Sequence, residues 1–363
     1  MKDKITKINL DKKNWKIFRF EEISEKISET ISPKISKSEI YVGLEHLNPN
    51  DIHIKRNGSP DQVKGNKLKF YPGDIIFGKR RAYQRKAAIS NNHGICSAHA
   101  FVFRAYKDSI DPKLFPFFLH SDQFMDRMID ISVGGLSPTI NWGDLKHQKF
   151  LIPPKDEQTY FTKLLWSLED VIEKDMKTRE ILLFSKKCFL NDIINQNKEL
   201  TNLDNLFEIN WGDTNTTKKS YVDNGHTAYS AAGPDGFLSK YDFNTEGIVL
   251  AAIGTCGKCY LAEGKWSAIK NTITLIPKKI NLNYMKIIFE IINDVSYWRS
   301  SGGVQKFISL EETKKSKIFL LDKNKVQNYF KTLQLLNNAL NEIEISIFIS
   351  KSLKKSLINQ IFE

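Results

Sequence analysis

Residues 132–154, SVGGLSPTINWGDLKHQKFLIPP, and residues 300–322, SSGGVQKFISLEETKKSKIFLLD, decide how this chain is built. They align without a gap at a constant offset of 168 residues, and the correspondence runs from 132–194 onto 300–362. Gly134 and Gly135 fall on Gly302 and Gly303, Ile140 on Ile308, and Lys149 on Lys317. Behind each lysine stands a short apolar run, Phe150, Leu151, Ile152 in one copy and Ile318, Phe319, Leu320 in the other. Each predicts a strand entered from a Gly-Gly loop. Self-similarity at one fixed offset means that the same unit of structure occurs twice.

Immediately downstream lie two segments free of Gly and Pro, 155–197 and 323–363. In the first, Phe161, Leu165, Leu168, Ile172, Leu182, Phe189 and Ile193 follow one helical track; in the second, Tyr329, Leu333, Leu336, Leu340, Ile343, Ile347, Leu357 and Ile361 follow its equivalent. A repeat near 3.5 residues keeps one seam of a helix facing one partner, so the two helices are expected to form a left-handed pair. Asp175, Arg179 and Lys186 interrupt the first seam, and pairing across to the other helix is the simplest way to accommodate them. An ordinary amphipathic helix on a globular core is the competing interpretation of a single track, and duplication at one offset favours the paired spacer. Helices of about 40 residues span roughly 60 Å and would hold two domains apart.

Upstream of the helices the two halves diverge. A central strand is expected at Gly73, Asp74, Ile75, Ile76, Phe77 and at Gly247, Ile248, Val249, Leu250, and helical stretches at 114–128 and 282–298. The loops between them differ in length and charge. A shared framework with unlike loops suits two readers of different targets.

With 363 residues the chain has room for two domains and linking helices. Lys and Arg outnumber Asp and Glu by 54 to 42, a net +12 that favours a polyanionic partner such as nucleic acid. No run of 18 apolar residues occurs and the lysine-rich first residues do not form a signal sequence, so a soluble, cytoplasmic protein without a membrane partner is expected. Cys96, Cys188, Cys256 and Cys259 are too few for a disulfide framework and read mostly as packing residues.

The combination resembles the specificity subunits of type I restriction-modification systems, along essentially the whole chain. It rests on the two Gly-Gly loops with their strands (132–154 and 301–321) and the long helix behind each. Tyr41, Val42, Gly43, Leu44, Glu45, His46, Leu47 is similar to the early strand of the family's first recognition domain, and 73–77 to its Gly-Asp-apolar strand. The second half has Thr227, Ala228, Tyr229, Ser230, Ala231, Ala232, Gly233 instead of a copy of 41–47. The resemblance implies an α+β protein with two target-recognition domains related by a pseudo-twofold axis, each followed by a long helix, the helices forming an antiparallel coiled coil. The domains would be 1–154 and 200–322, the spacer helices 155–199 and 323–363. It further implies a bacterial or archaeal protein that neither cuts nor methylates. Such a subunit reads a bipartite site in double-stranded DNA and directs two methyltransferase subunits and translocating restriction subunits to it, in a system of phage defence. S-adenosylmethionine, ATP and Mg²⁺ belong to those partners, and this chain is expected to hold no cofactor or metal.

Arg and Lys suit phosphates and guanine, and Asn and Gln suit adenine. Lys79, Arg80, Arg81, Tyr83, Gln84, Arg85 and Lys86 follow the first central strand directly and are the candidate DNA contacts of the first half. A solvated charged loop is the bland alternative. The matching place in the second half holds Gly254, Thr255, Cys256, Gly257, Lys258, then Glu263, Gly264, Lys265 and Trp266, from which Lys258, Lys265 and Trp266 are the candidates. Ser137 and Thr139 beyond Gly135, and Gln305 and Lys306 beyond Gly303, are placed alike in the two copies and join both sets. Phe161, Leu165, Leu168, Ile172, Leu333, Leu336, Leu340 and Ile343 are the candidate coiled-coil and partner-binding positions.

Other chemistry has thinner support. Cys256 and Cys259 form a CxxC pair without a second pair, half of a zinc site. Gly254 to Lys258 falls two residues short of a phosphate loop. Pro234, Asp235, then Glu263, Gly264, Lys265 spell a PD…ExK string, which makes a Mg²⁺-dependent nuclease the sharpest rival, although Asp235 is expected in a turn. A non-specific nucleic-acid-binding scaffold is the third possibility.

Overall fold

The computed structural model describes residues 10–36, 40–303 and 306–363. Its contacts divide the chain into two units, one reaching to Met176 and including Ile345–Glu363, the other Lys177–Glu344. Each unit therefore holds one globular domain and half of each long helix.

In the first unit the main sheet has the order Ser24–Ile27, Ala100–Ala105, Ile75–Gly78, Ala87–Ile89, with every neighbour antiparallel. Ile75, Ile76 and Phe77 are buried on both faces, so this apolar run without alternation is a central strand. A smaller sheet runs Thr30–Ile31, Lys67–Phe70, Gly94–Cys96, Tyr41–Val42, and its last pair is parallel. The 41–47 stretch is thus a strand for two residues only. From Gly43 it turns, with Gly43 N donating to His46 Nδ1 at 3.0 Å. An aromatic core joins the sheet to the helices: Phe20 packs on Phe103 and Phe118 on Phe150, each at 5.1 Å between ring centroids, and Phe118 on Phe362 at 5.2 Å.

The second unit repeats this plan. Its main sheet runs Phe207–Trp211, Thr272–Pro277, Gly247–Ala251, Cys259–Ala262, again antiparallel throughout. Its smaller sheet runs Gly233–Leu238, His226–Ser230, Lys265–Ala268, Phe243–Asn244. Here His226–Ser230 lies parallel to Lys265–Ala268, as Tyr41–Val42 lies parallel to Gly94–Cys96. The 227–233 stretch therefore occupies the place of 41–47, a correspondence of topology without likeness of sequence. Ile248, Leu250, Ile273, Leu275, Ile287 and Ile288 form the core beneath it.

Each Gly-Gly loop leads to a strand, Lys149–Ile152 or Lys317–Phe319, paired antiparallel with the strand that opens its domain, Lys16–Arg19 or Leu200–Asn202. The long helices follow directly as Lys155–Gln196 and Lys323–Phe362. Asp156 and Glu157 favour the first helix N-terminus by their charge; Asp322 caps the second, accepting from Asn324 N at 2.9 Å. Within the first unit Phe161, Leu165 and Ile172 are buried, as are Leu357, Ile358 and Ile361. Asp175 there accepts from Ser346 Oγ at 2.7 Å. Within the second unit Leu333 and Leu340 are buried and Phe189 packs edge-on against Tyr329 at 6.1 Å. Arg179 Nε donates to Glu344 Oε1 at 3.0 Å. Partners on one helix descend in number as those on the other rise, so the helices pair antiparallel. Leu168, Leu336 and Ile343 are half-buried along the seam.

Two expectations about these helices change. Lys186 pairs with Glu290 of the helix Leu282–Ile292, at 2.6 Å, and not with the other long helix. Cys188 is exposed, so it is not a packing residue, whereas Cys96 and Cys259 are buried.

Candidate nucleic-acid interface

In the first domain the central strand ends at Gly78 and the basic segment begins at once. Arg81 and Arg85 both take positive φ, +57° and +52°, around a single turn Ala82–Gln84 whose Ala82 is buried. The turn leaves Arg80, Arg81 and Tyr83 exposed. The Gly-Gly loop folds onto this segment. Val133 and Thr139 bridge each other, and Thr139 also bridges Arg80. Arg81 N donates to the Pro138 carbonyl at 2.8 Å and Ile140 N to the Lys79 carbonyl at 3.0 Å. Arg81 Nε reaches Ser137 Oγ at 3.2 Å. Backbone pairing thus brings Lys79, Arg80, Arg81, Ser137 and Thr139 onto one surface.

Not every cation of the segment is available to a ligand. Arg85 donates to Asn50 Oδ1 at 2.9 Å and to the His120 carbonyl at 2.7 Å, and pairs with Asp122 at 2.7 Å. Lys86 Nζ donates to the Leu44 carbonyl at 2.7 Å. These two side chains hold the loop together, a correction to their reading as DNA contacts. Lys79 Nζ sits 5.1 Å above the Phe101 ring, half-buried, and burial lowers its pKa. Next to the turn a groove of about 460 Å³ is lined by Tyr83, Gln84, Asn48 and Arg56. In that groove Arg56 donates to Asn48 Oδ1 at 2.9 Å and to the Glu45 carbonyl at 2.8 Å.

The second domain closes the same clamp with different residues. Ser301 and Phe307 exchange two backbone hydrogen bonds of 2.9 Å, Ile308 N donates to the Ala252 carbonyl at 2.9 Å, and Phe307 bridges Ile253. Lys306 is exposed beside it, and Gln305 lies outside the described residues. Lys258 is exposed, 5.3 Å above the Tyr260 ring, and Lys265 lies 4.9 Å above Tyr241. Trp266 is corrected outright. It is fully buried, donates Nε1 to the Thr245 carbonyl at 2.7 Å and stacks on Phe243 at 4.4 Å, so it faces the core. A hollow of about 390 Å³ is lined by Lys218, Thr255, Lys270 and Asn271, and of its two lysines Lys218 is already paired with Asp235. Lys270 is exposed and carries no sequence motif.

The PD…ExK string does not gather. Asp235 lies in the strand Gly233–Leu238, not in a turn, and its carboxylate takes bonds from Tyr221 Oη and Ser230 Oγ, both 2.7 Å, and from Lys218. Burial opposes its ionisation, yet these partners hold its pKa below the usual range. Glu263 pairs instead with Lys286 at 3.0 Å, and Lys265 faces Tyr241. Cys259 points its thiol at the Ile292 carbonyl at 3.5 Å, and burial raises the pKa of both cysteines of the CxxC pair.

Residues 12–182 match the family model described as the type I restriction modification DNA specificity domain. The chain is 28% identical over 173 residues to the type I restriction enzyme EcoDI specificity subunit of Escherichia coli, covering 45% of this chain and 37% of that protein. It is 24% identical over 206 residues to the putative type I restriction enzyme MjaX specificity subunit of Methanocaldococcus jannaschii, covering 52% and 48%. The chain thus spans less than half the length of either curated relative it matches. Its fold extends the likeness further. It superposes on the type I restriction-modification system S subunit from M. genitalium with a TM-score of 0.63 at 15% identity, covering 98% of both chains. A chain from a structure on complex assembly and conformational transition of the type I R-M system gives 0.58 at 15% identity, over 96% of this chain and 97% of that one.

Residues 12–182 are thus similar in sequence to a DNA specificity domain of the type I restriction-modification class. The whole chain, with its repeated domain and helix, has the fold of a type I specificity subunit. Among the described residues no helix is long and apolar enough to cross a membrane.

Proposed function

We propose that this chain is a non-catalytic specificity subunit that reads a bipartite site in double-stranded DNA and brings partner methyltransferase and restriction subunits to it. The observation that carries this reading is the clamp built twice. In each domain a Gly-Gly loop is zipped to the loop that ends the central strand, through Thr139 and Arg80 in one and Phe307 and Ile253 in the other. The backbone is common and the side chains are not, as two half-sites of different sequence require. Arg80 and Arg81 in the first domain, and Lys258, Lys265 and Lys306 in the second, supply exposed cations for phosphates and base edges.

The partner subunits have a natural place on the long helices. Ile181 and Phe184 are 56% and 69% exposed in the second unit, and Ile345, Phe348 and Ile349 are 51%, 71% and 57% exposed in the first. Large apolar side chains left in water on a helix mark a surface that another protein covers. Methyl transfer and ATP-driven restriction then reside in the partners, which carry S-adenosylmethionine, ATP and Mg²⁺.

The test is a pull-down of the tagged chain from its native host, with methylome sequencing in the presence and absence of its gene. A co-purifying DNA methyltransferase and loss of one bipartite methylated motif are the expected results. A methylome that does not change, with no methyltransferase recovered, overturns the proposal.

A further inference from the structure

We propose that His53, Glu169 and Glu173 bind one divalent transition-metal ion of the zinc type. All three belong to the first unit. Among the described residues they form the one cluster of three or more potential metal ligands, with a donor atom of each within 4.8 Å of the others. Glu169 and Glu173 stand one turn apart on the first long helix, and so project from the same face. His53 reaches them from the loop that follows Tyr41–Val42. Its ring is set edge-on against Trp166, 6.0 Å away.

His53 Nε2 is shielded from solvent and faces Glu169 Oε1 at 3.3 Å. With metal–ligand bonds of about 2.0–2.1 Å, neighbouring donors of a tetrahedral site are separated by about 3.4 Å. The nitrogen and the carboxylate oxygen already stand at that spacing. The other carboxylate contacts leave room for an ion: Glu169 binds Lys354 through Oε2, and Glu173 binds Lys55 through Oε1 at 2.8 Å. Each lysine orients a ligand from outside, as the outer partners of metal-bound carboxylates do.

One imidazole with two carboxylates suits Zn²⁺ and its neighbours, whereas Mg²⁺ and Ca²⁺ prefer oxygen alone. Glu169 and Glu173 line a cavity of about 600 Å³, from which water can complete the coordination. The ion would clip the 51–55 loop to the helix, directly behind Asn50, the residue that holds Arg85.

The experiment uses the full chain, stripped with a chelator and then titrated with Zn²⁺ and with Co²⁺. The expected result is one ion per chain, visible ligand-field absorption from bound Co²⁺, and no competition from a hundredfold excess of Mg²⁺. Glu173→Gln should weaken Zn²⁺ binding at least tenfold, as should His53→Gln, with unfolding curves of both variants showing that the chain remains folded. Cys256→Ser should leave it unchanged. The proposal is overturned if the folded chain binds no ion stoichiometrically, or if the cysteine variant loses binding while Glu173→Gln keeps it.

Discussion

Gly134 and Gly302 share one backbone conformation, φ +117° and +99°, at equivalent places in two loops 168 residues apart. At Gly134 an added Cβ would meet only ordinary contacts, the nearest being Pro138 Cα at 3.7 Å. Substitution therefore costs backbone strain and little else, about 1–3 kcal/mol for a side chain held at such a φ. Gly134→Ala should lower the stability of the first unit by that amount and weaken DNA binding, because the loop it bends carries Ser137 and Thr139. Urea unfolding and DNA titration of the same variant check both effects, and an unchanged midpoint would show that the loop relaxes freely.

Arg81 and Arg85 are neighbours with opposite tasks. Arg81 is exposed beside Ser137, whereas Arg85 spans Asn50, the His120 carbonyl and Asp122. Arg81→Ala should leave the urea midpoint unchanged, reduce DNA affinity, and flatten the dependence of log K on log salt by about one unit. Arg85→Ala should instead destabilise the first unit by about 1–3 kcal/mol, the cost of leaving its acceptors without a donor. Fluorescence anisotropy at several salt concentrations, beside unfolding curves, separates the two.

The repeat made the long helices, the strands before them and the central strands legible, because each is written in apolar spacing that local physics enforces. The basic run at Lys79–Lys86 was legible as a cluster of charge after a strand, but not which of its side chains the fold itself uses, as it does Arg85 and Lys86. What escaped depends on neighbours distant in sequence. Trp266, flanked by Lys265, looked like part of a loop, yet one residue further along a strand the side chain faces the opposite way, into the core. Lys186 pairs with Glu290 of Leu282–Ile292 rather than with the other long helix, a partner about a hundred residues away that no helical period can reveal. The parallel pairing that equates 227–233 with 41–47 leaves no sequence trace at all.

Trp266 and Lys265 offer a sharper contrast within one strand. Trp266→Ala removes a fully buried ring from its stack on Phe243, and should cost the second unit about 3–5 kcal/mol. Lys265→Ala should leave stability within about 0.5 kcal/mol and weaken DNA binding. If Trp266→Ala were as stable as the parent chain and only DNA binding fell, the placement of this strand would be wrong.

His120 gives the first unit an acid limit. It is buried, its Nε2 lies 2.8 Å from the Ala87 carbonyl, and its Nδ1 is buried without a hydrogen-bond partner. Burial lowers its pKa from an ordinary 6.5 to about 4; the Ala87 carbonyl acts against that shift, and Lys354 and Arg85 add to it. The folded ring thus stays neutral where the unfolded one protonates. The unfolded chain binds more protons between these values, so stability is full above pH 6.5 and declines as pH falls toward 4. The loss attributable to this ring should reach about 2 kcal/mol at a pH near 5 and about 3 kcal/mol once both forms are protonated. His53, whose pKa the bond to Glu169 raises, acts in the opposite sense over this range, so comparison with a variant isolates the part due to His120. Unfolding free energies in urea at neutral pH and near pH 5 should fall steeply for the parent chain. For His120→Gln, whose amide can still donate to Ala87, the decline should be shallower by about 2 kcal/mol. Equal slopes in the two proteins would mean that the folded chain accepts the proton on His120, and that the enclosure around it opens in acid.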